Sequence, residues 1–418
     1  MKILFITYFF APYNCIGAVR TTRTAEVLSE IGHDVRVITA GEQNLDPNLI
    51  STFPEESVKR TKWIDLEKPI YLLMGKKKVA SLKGNLHKAS LKGRFFGVLN
   101  RIYQRMISIP DKHVGWYPYA VKEANSLIES GWVPDVIYAS AMPYTSLMVA
   151  KKISGRHKIP WVGELRDLWS DNHYGYGGWI EKKIESNTLK TASSLITVSD
   201  PLQKTLQRKY HSIPVHTIFN AYDEKDFQLR YDKKTDDKKI KIVYTGTVYE
   251  GKRDPSPLLQ TLHEYPVLRK SVQVDFFGSN LGFIEHLINK FNLHDCVKIN
   301  GRVSRQEALE KQMSADILLL LTWNDPKEKG VLTGKLFEYI GSARPILSIG
   351  AVEDDASKLI ISNGFGVATN EPSGINVFIK KVKEQGFDYD DVNRTEYERV
   401  SQIVSLEKVF VSVVQSKV

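Results

Sequence analysis

The chain has 418 residues, 42% of them hydrophobic and 25% charged. That balance fits a globular protein of two or three domains and excludes a disordered or fibrous one. The net charge is +10, and no run of about 18 apolar residues is present to span a bilayer. The two cysteines, Cys15 and Cys296, lie far apart, which fits a reducing compartment with neither a disulfide framework nor a metal cluster.

In chain order, Met1 to Ile6 reads as a first buried strand rather than a signal peptide, because Pro12, Asn14 and Gly17 interrupt the apolar run and no small-residue cleavage site follows. A cytoplasmic protein is the expectation. Further strand-like runs fall at 34–40, 135–140, 161–166, 194–199 and 215–221, after a first run at 2–10. Helical patterns lie between most of them, at 18–31, 117–130, 144–154, 179–192 and 201–209. A charged stretch at 221–238, almost without apolar residues, reads as a linker. Strands then recur at 239–248, 272–278, 297–303, 316–323, 344–350 and 366–369, and a last helical pattern covers 396–415. Runs apolar throughout and separated by helices mean parallel strands covered on both faces. The expected architecture is therefore α/β, with two doubly wound, Rossmann-like domains facing across a cleft. Their expected bounds are 1–220 and 239–389, with 390–418 forming a C-terminal helix able to cross back to the first domain.

The charge is unevenly placed. Residues 1–220 hold 30 Lys and Arg against 19 Asp and Glu, whereas 221–418 hold 28 against 29. The segment 68–110 opens on Lys68, closes on Pro110 and contains ten basic residues and no acidic one. Its Lys76, Lys77, Lys78, Lys83, Lys88, Lys92, Arg94, Arg101 and Arg105 alternate with apolar and aromatic residues. This pattern suits an anionic membrane surface, and peripheral attachment there is the leading expectation. A solvated face is the ordinary alternative. Nucleic acid is not expected as a partner, since no nucleic-acid module accompanies the patch.

The loops after the strands carry the chemistry. In the second half, Gly246, Thr247, Lys252, Arg253 and Pro255 form a Gly-containing loop with two adjacent cations before a helix, the pattern of a diphosphate clamp. Gly278 opens a short turn, and Gly301 leads to Ser304 and Glu307, a capping-box pair. Thr333 and Gly334 open a helix whose free N–H groups favour a phosphate or a sugar hydroxyl. Glu338, one turn inside, is placed to accept hydrogen bonds from a diol such as ribose. In the first half, Gly17 allows close backbone approach and Arg20 and Arg23 are candidate phosphate donors. Four such loops in the second half point to a nucleotide site there.

These residues, in this order, resemble GT-B glycosyltransferases of the retaining family-4 kind, particularly the bacterial capsule, O-antigen and surface-polysaccharide branch. The matching pieces are Ala11-Pro12, Gly17 and Arg20; Gly32-His33-Asp34-Val35-Arg36-Val37; Pro134-Asp135-Val136-Ile137-Tyr138; Arg166-Asp167-Leu168-Trp169; Val198-Ser199; and Phe219-Asn220-Ala221. They continue with Gly246, Lys252-Arg253-Asp254-Pro255, Phe277-Gly278, Gly301-Arg302-Val303 and Lys335-Leu336-Phe337-Glu338-Tyr339. The resemblance implies a hexosyltransferase taking a nucleotide-sugar donor, a UDP-sugar first, and a glycan or lipid-linked sugar acceptor. It implies no metal and no cofactor.

By the same resemblance Glu338 holds the ribose hydroxyls, Lys252 with Arg253 holds the diphosphate, the amides of Leu332, Thr333 and Gly334 approach phosphate and sugar, and Arg302 and Val303 flank the base. Gly246, Thr247, Gly278 and Lys335 complete the donor set. Asn14, Gly17, Arg20, Arg166 and Asp167 form the acceptor side, and Lys252, Arg253 and Asp167 are the catalytic candidates. The chain departs from the family in three places. Gly330 stands where the first glutamate of the acidic pair is expected, with Glu328 two residues away. Thr247 stands where an arginine follows the strand glycine. Ser140-Ala141-Met142-Pro143 replaces a loop that often holds a histidine. These departures leave a non-catalytic nucleotide-sugar- or glycan-binding partner of a transferase as the alternative. A sugar-nucleotide epimerase is a weaker one.

Overall fold

A computed structural model describes residues 1–66, 68, 109–172, 178–227, 239–323, 325, 330–387, 389 and 392–416. Most of the basic segment 68–110, residues 228–238 of the expected linker, and Glu328 lie outside the described residues. The chain forms two compact units, Met1–Ile218 with Ile403–Val418, and Phe219–Gln402.

The first unit is built on a seven-stranded parallel sheet: β1 (Lys2–Ile6), β2 (Asp34–Ala40), β3 (Val58–Thr61), β4 (Val136–Ala141), β5 (Trp161–Leu165), β6 (Ser194–Thr197) and β7 (Val215–Thr217), in the order β3-β2-β1-β4-β5-β6-β7. Alternate residues of each strand point to opposite faces. Leu4, Ile6, Ile38, Ile137 and Ala139 therefore pack against α2 (Tyr117–Glu129) and α3 (Thr145–His157). Ile3, Phe5, Val37, Val136 and Tyr138 meet α1 (Ile16–Glu30) on the other face, together with Ile403, Leu406, Val409 and Phe410 from the end of the chain. The first strand stops at Ile6, shorter than the apolar run to Phe10. Tyr8 and Phe10 are buried all the same, because the loop they belong to turns into the core. β3 was not expected: its sequence, Val-Lys-Arg-Thr, is that of a polar strand on the sheet edge.

The second unit has a six-stranded parallel sheet of β8 (Ile240–Thr247), β9 (Val272–Ser279), β10 (Val297–Gly301), β11 (Ile317–Leu321), β12 (Ile346–Ile349) and β13 (Gly366–Ala368), in the order β10-β9-β8-β11-β12-β13. After α4 (Trp179–Leu189) and α5 (Asp200–Lys209) of the first unit, its helices are α6 (Ser256–Glu264), α7 (Pro266–Lys270), α8 (Gly282–Phe291), α9 (Arg305–Met313), α10 (Gly334–Gly341), α11 (Asp355–Ser362) and α12 (Pro372–Gln385). One face of the sheet is closed by Ile242, Tyr244, Val274, Phe276 and Leu319, the other by Val243, Leu318, Leu336, Phe337 and Ile340. The described part of the expected linker belongs to this unit: Tyr222 is buried, Phe227 packs beside it, and Tyr222 bridges to Glu398. In each sheet the strand order reverses once, between β1 and β4 and between β8 and β11. The carboxyl ends of those strand pairs are where doubly wound sheets bind ligands.

Candidate functional site

In the second unit the site is built around the end of β8. Gly246 pairs with Gly278 across β8 and β9 at φ of 138° and 143°, and a Cβ on Gly278 would run into the Gly246 carbonyl. Only glycines let the two strand ends close this tightly. Thr247, in the place of the family arginine, shares a 3.0 Å hydrogen bond between its hydroxyl and that of Ser279. The loop then doubles back, with the N–H groups of Lys252 and Arg253 both donating to the Tyr249 carbonyl. That turn sets Lys252 Nζ 4.1 Å above the Trp323 ring and the Arg253 guanidinium 5.3 Å from the Tyr249 ring.

A third cation arrives from α10. Lys335 Nζ lies 4.1 Å above the Tyr244 ring and fills the space that a side chain on Gly246 would take. Burial pushes its ammonium down to about 7; Arg253 adds to the shift and Glu338 opposes it. Among the described residues, Lys252, Arg253 and Lys335 have no carboxylate partner within ion-pair distance. The N-cap of α10 is Thr333, extended at φ −72° and ψ 148° with no side-chain cap, which leaves the first amides of the helix as donors at this strand end. Leu332, just before it, is buried and its carbonyl accepts from Asn220 Nδ2 at 3.3 Å.

Glu338 follows one turn into α10. Burial raises its carboxyl above the ordinary range, against Arg305, Gln312 and Lys335, which favour ionisation. Arg305 Nη2 stands 3.8 Å from Glu338 and 2.8 Å from Asp226. The arginine that reaches Glu338 is thus Arg305, seated on α9 by the Ser304–Glu307 capping box, while Arg302 is exposed and Val303 packs on the core. Gly330 is buried at φ 84° and its N–H donates to Asp355 Oδ2 at 2.7 Å, so a glutamate at that position would meet a strained backbone.

The first unit holds the other expected residues, and it separates them. Arg20 is buried and donates through Nε and Nη2 to Glu164, and through Nη2 to the Ile218 carbonyl at 2.9 Å. It is therefore buried, with its guanidinium engaged by Glu164 and the Ile218 carbonyl. Arg166 takes the place beside Gly17: its guanidinium lies about a bond-contact away, 3.0 Å from where a Gly17 Cβ would stand, and donates to the carbonyls of Ala141 and Met142. Asn14 donates from Nδ2 to Asn48 and so ties its loop to a neighbouring one.

Asp167, exposed, lines a cavity of about 760 Å³ at the carboxyl ends of β1 and β4. Tyr8, Phe9, Trp63 and Trp169 supply its aromatic walls. Among the described residues, Gln43 Oε1, His113 Nδ1 and Trp169 Nε1, buried atoms of residues lining it, have no hydrogen-bond partner. Burial, with Lys112, pushes His113 down to about 4, so its imidazole is neutral at physiological pH. Aromatic faces and unsatisfied neutral donors and acceptors suit a hydroxyl-rich ring. Nothing in the linear pattern marks Gln43, His113 and Trp169 as neighbours. Among the described residues no three His, Cys, Asp or Glu side chains converge as a metal-ligand set would.

The two doubly wound parallel units have the GT-B fold, as the resemblance implied. Solved structures of this fold include sucrose-phosphate synthase from Thermosynechococcus elongatus, 13% identical with all of both chains covered and a TM-score of 0.60. Anabaena HepE in complex with UDP is 14% identical over all of this chain and 98% of that one, with a TM-score of 0.57. The apo lipopolysaccharide outer core galactosyltransferase WaaB is 13% identical over the whole of both chains, with a TM-score of 0.58. No family model and no curated protein matches the chain.

Proposed function

We propose that this protein is a retaining glycosyltransferase that moves a hexose-type sugar from a nucleotide-sugar donor, a UDP-sugar first, to a glycan or lipid-linked oligosaccharide in surface-polysaccharide synthesis. The observation that carries this reading is the gathering of Lys252, Arg253 and Lys335, none ion-paired, around the end of β8, with Glu338 one turn into α10. Breaking a glycosyl–diphosphate bond leaves an oxocarbenium-like sugar and a diphosphate, whose growing charge needs cations and N–H donors already in place. The three cations and the first amides of α10 supply them, without calling on a metal ion. Glu338 takes the ribose hydroxyls. HepE, of the same fold, has been solved with UDP and with UDP-glucose, which favours that donor class here.

The aromatic cavity of the first unit is assigned to the acceptor, with Asp167 at its wall orienting the acceptor hydroxyl. The reactive proton passes to the donor phosphate on a front-side path. The basic segment 68–110 is assigned to an anionic membrane surface, where a lipid-linked acceptor is presented.

The test is calorimetry against UDP-, GDP-, dTDP- and CMP-sugars, repeated with Glu338→Ala. Binding of one donor that the substitution abolishes supports the reading. No binding by the folded protein removes it. Gly330 and Thr247 favour a second reading, a non-catalytic nucleotide-sugar-binding partner of a transferase. Donor hydrolysis without acceptor separates the two, since the enzyme turns over its donor slowly in water and a binding protein does not.

A further inference from the structure

Lys335 is a third cation in a cluster that has no ion-paired carboxylate among the described residues. Its Nζ is not directed to solvent: it lies on the Gly246 main chain, with the Tyr244 ring 4.1 Å beneath it. Among the described residues, the charged and titratable groups that face it are these. Tyr244 comes from β8, and its phenol is pushed up to about 12 by burial, so it stays neutral. Arg253 comes from the following loop and repels the ammonium, whereas Glu338 on its own helix attracts it. Behind Glu338 stand Arg305 from α9 and Asp226, paired with each other at 2.8 Å. Glu338 is thus shared with an arginine, and the ammonium sits half-buried beside a guanidinium and an aromatic face with no carboxylate of its own.

We propose that Lys335 is a phosphate-binding residue that compensates for Thr247, and that a nucleotide sugar binding at this strand end takes up a proton onto Lys335 Nζ. The inference rests on the donor-site reading above. The step is a simple protonation: Nζ, neutral in a fraction of empty molecules, takes H⁺ from water or buffer as the diphosphate arrives, and an N–H···O⁻ bond forms in place of the contact with the Tyr244 ring. The fraction is substantial because the empty-site ammonium titrates near 7. Two phosphate charges next to it favour the protonated form and move that titration upward. Both phosphates of a nucleotide sugar are diesters that remain ionised across this range, so the proton belongs to the protein. By linkage, donor affinity is greatest below pH 7 and declines as pH rises above it, approaching about tenfold per pH unit until the bound-state titration is reached.

Calorimetry of UDP-glucose binding tests this at pH 6, 7 and 8, each in two buffers of different ionisation enthalpy, with GDP-, ADP- and dTDP-glucose tried in turn should UDP-glucose not bind. The expected result is uptake of part of a proton at pH 7, rising toward one at pH 8. In Lys335→Met the uptake vanishes, affinity at pH 6 falls by about tenfold or more, and the pH dependence flattens. Binding by the wild type with no uptake, or with an uptake that persists in Lys335→Met, overturns the inference and leaves the donor site standing. Failure of every nucleotide sugar to bind overturns the donor-site reading and this inference with it. Absence of uptake in the wild type overturns the inference even where Lys335→Met does not fold. Lys335→Arg, which keeps a fixed charge, then serves as the second variant, with uptake expected to vanish and persistence overturning the inference.

Discussion

Arg20 and Glu164 form a buried ion pair at 2.8 Å under the first βα loop, with Ser140 donating to the second carboxylate oxygen at 2.6 Å. Arg20 sits eight-hundredths exposed and Glu164 not at all, so neither charge meets solvent. Against burial, Arg20 first, then Arg166 and Ser140, hold the Glu164 carboxyl below its ordinary range. Removing one partner leaves the other charge buried and unpaired, at a cost of about 3–5 kcal/mol. Arg20→Met is therefore expected to lower the urea midpoint markedly, and Arg20→Lys to recover little, because an ammonium cannot reproduce the guanidinium's forked bonding to Glu164 and the Ile218 carbonyl. The sign with pH follows. A depressed carboxyl contributes stability above its unfolded value, and that contribution is lost as pH falls through the folded one. The wild type should resist acid to a lower pH than Arg20→Met, which acid titration followed by circular dichroism will read.

Gly246 and Lys335 compete for one volume. Gly246→Ala demands φ of 138° from a residue with a Cβ and drives a methyl into the Lys335 ammonium. The backbone strain alone is about 1–3 kcal/mol. Thermal unfolding should show that loss, and nucleotide-sugar affinity should fall beyond it as Lys335 is displaced. An unchanged affinity in folded Gly246→Ala would remove Lys335 from the site.

The strand-end loops of the second unit and the cavity of the first differ in how far the sequence reveals them. The donor side is contiguous: Gly246 to Pro255 and Thr333 to Tyr339 are short stretches on strand ends, and their turn and cap chemistry is local. Even there Lys335 looks like any helix lysine until Gly246 is seen to be empty beneath it. The cavity of the first unit is lined from seven separate segments, so Gln43, Trp63, His113 and Trp169 carry no common signal. The Arg20–Glu164 pairing is hidden for a related reason: an arginine one turn into a helix after a glycine reads the same whether or not Glu164, 144 residues later, receives it. Strand ends were overrun at Phe10 because burial of Tyr8 and Phe10 in the loop imitates a longer strand.

Trp63 forms part of the cavity wall and donates from Nε1 to the Gly41 carbonyl at 2.9 Å. Its ring face is the platform on which a sugar ring would stack. Trp63→Phe keeps an aromatic face and Trp63→Ala does not. Steady-state kinetics should show a rise of about tenfold or more in acceptor KM for Trp63→Ala and a smaller one for Trp63→Phe, in line with the stacking worth of one aromatic face. Donor hydrolysis should be unchanged in both. Equal effects on donor hydrolysis would place the cavity outside the acceptor path.

The basic segment makes a prediction from charge alone. Each lysine or arginine near an anionic surface contributes about 1 kcal/mol of attraction. Replacing Lys76, Lys77, Lys78, Lys83 and Lys88 by Gln should abolish sedimentation with phosphatidylglycerol vesicles at physiological salt. Turnover of a water-soluble acceptor should persist. Binding that survives the five substitutions would assign the charge to a solvated face.

Lys335 also makes the empty protein's stability depend on pH. Its folded-state ammonium titrates near 7, well below the value of about 10.4 for an unfolded lysine. Between those two values the unfolded chain binds more protons than the folded one, so this residue's contribution to stability rises as pH climbs from 7 toward 10. Below pH 7 both states are protonated, and the folded state bears the full cost of holding an ammonium beside Arg253 over Tyr244. Lys335→Met removes that cost. The variant should be more stable than the wild type at pH 6, and the gap should narrow steadily toward pH 9 in the absence of ligand. Saturating nucleotide sugar should reverse the order at pH 6, since only the wild type gains the phosphate contact. Thermal unfolding of both proteins at pH 6 and pH 9, with and without ligand, measures all four corners. A constant gap across pH would show that Lys335 keeps its proton in the empty site, and that the cation cluster is screened rather than strained.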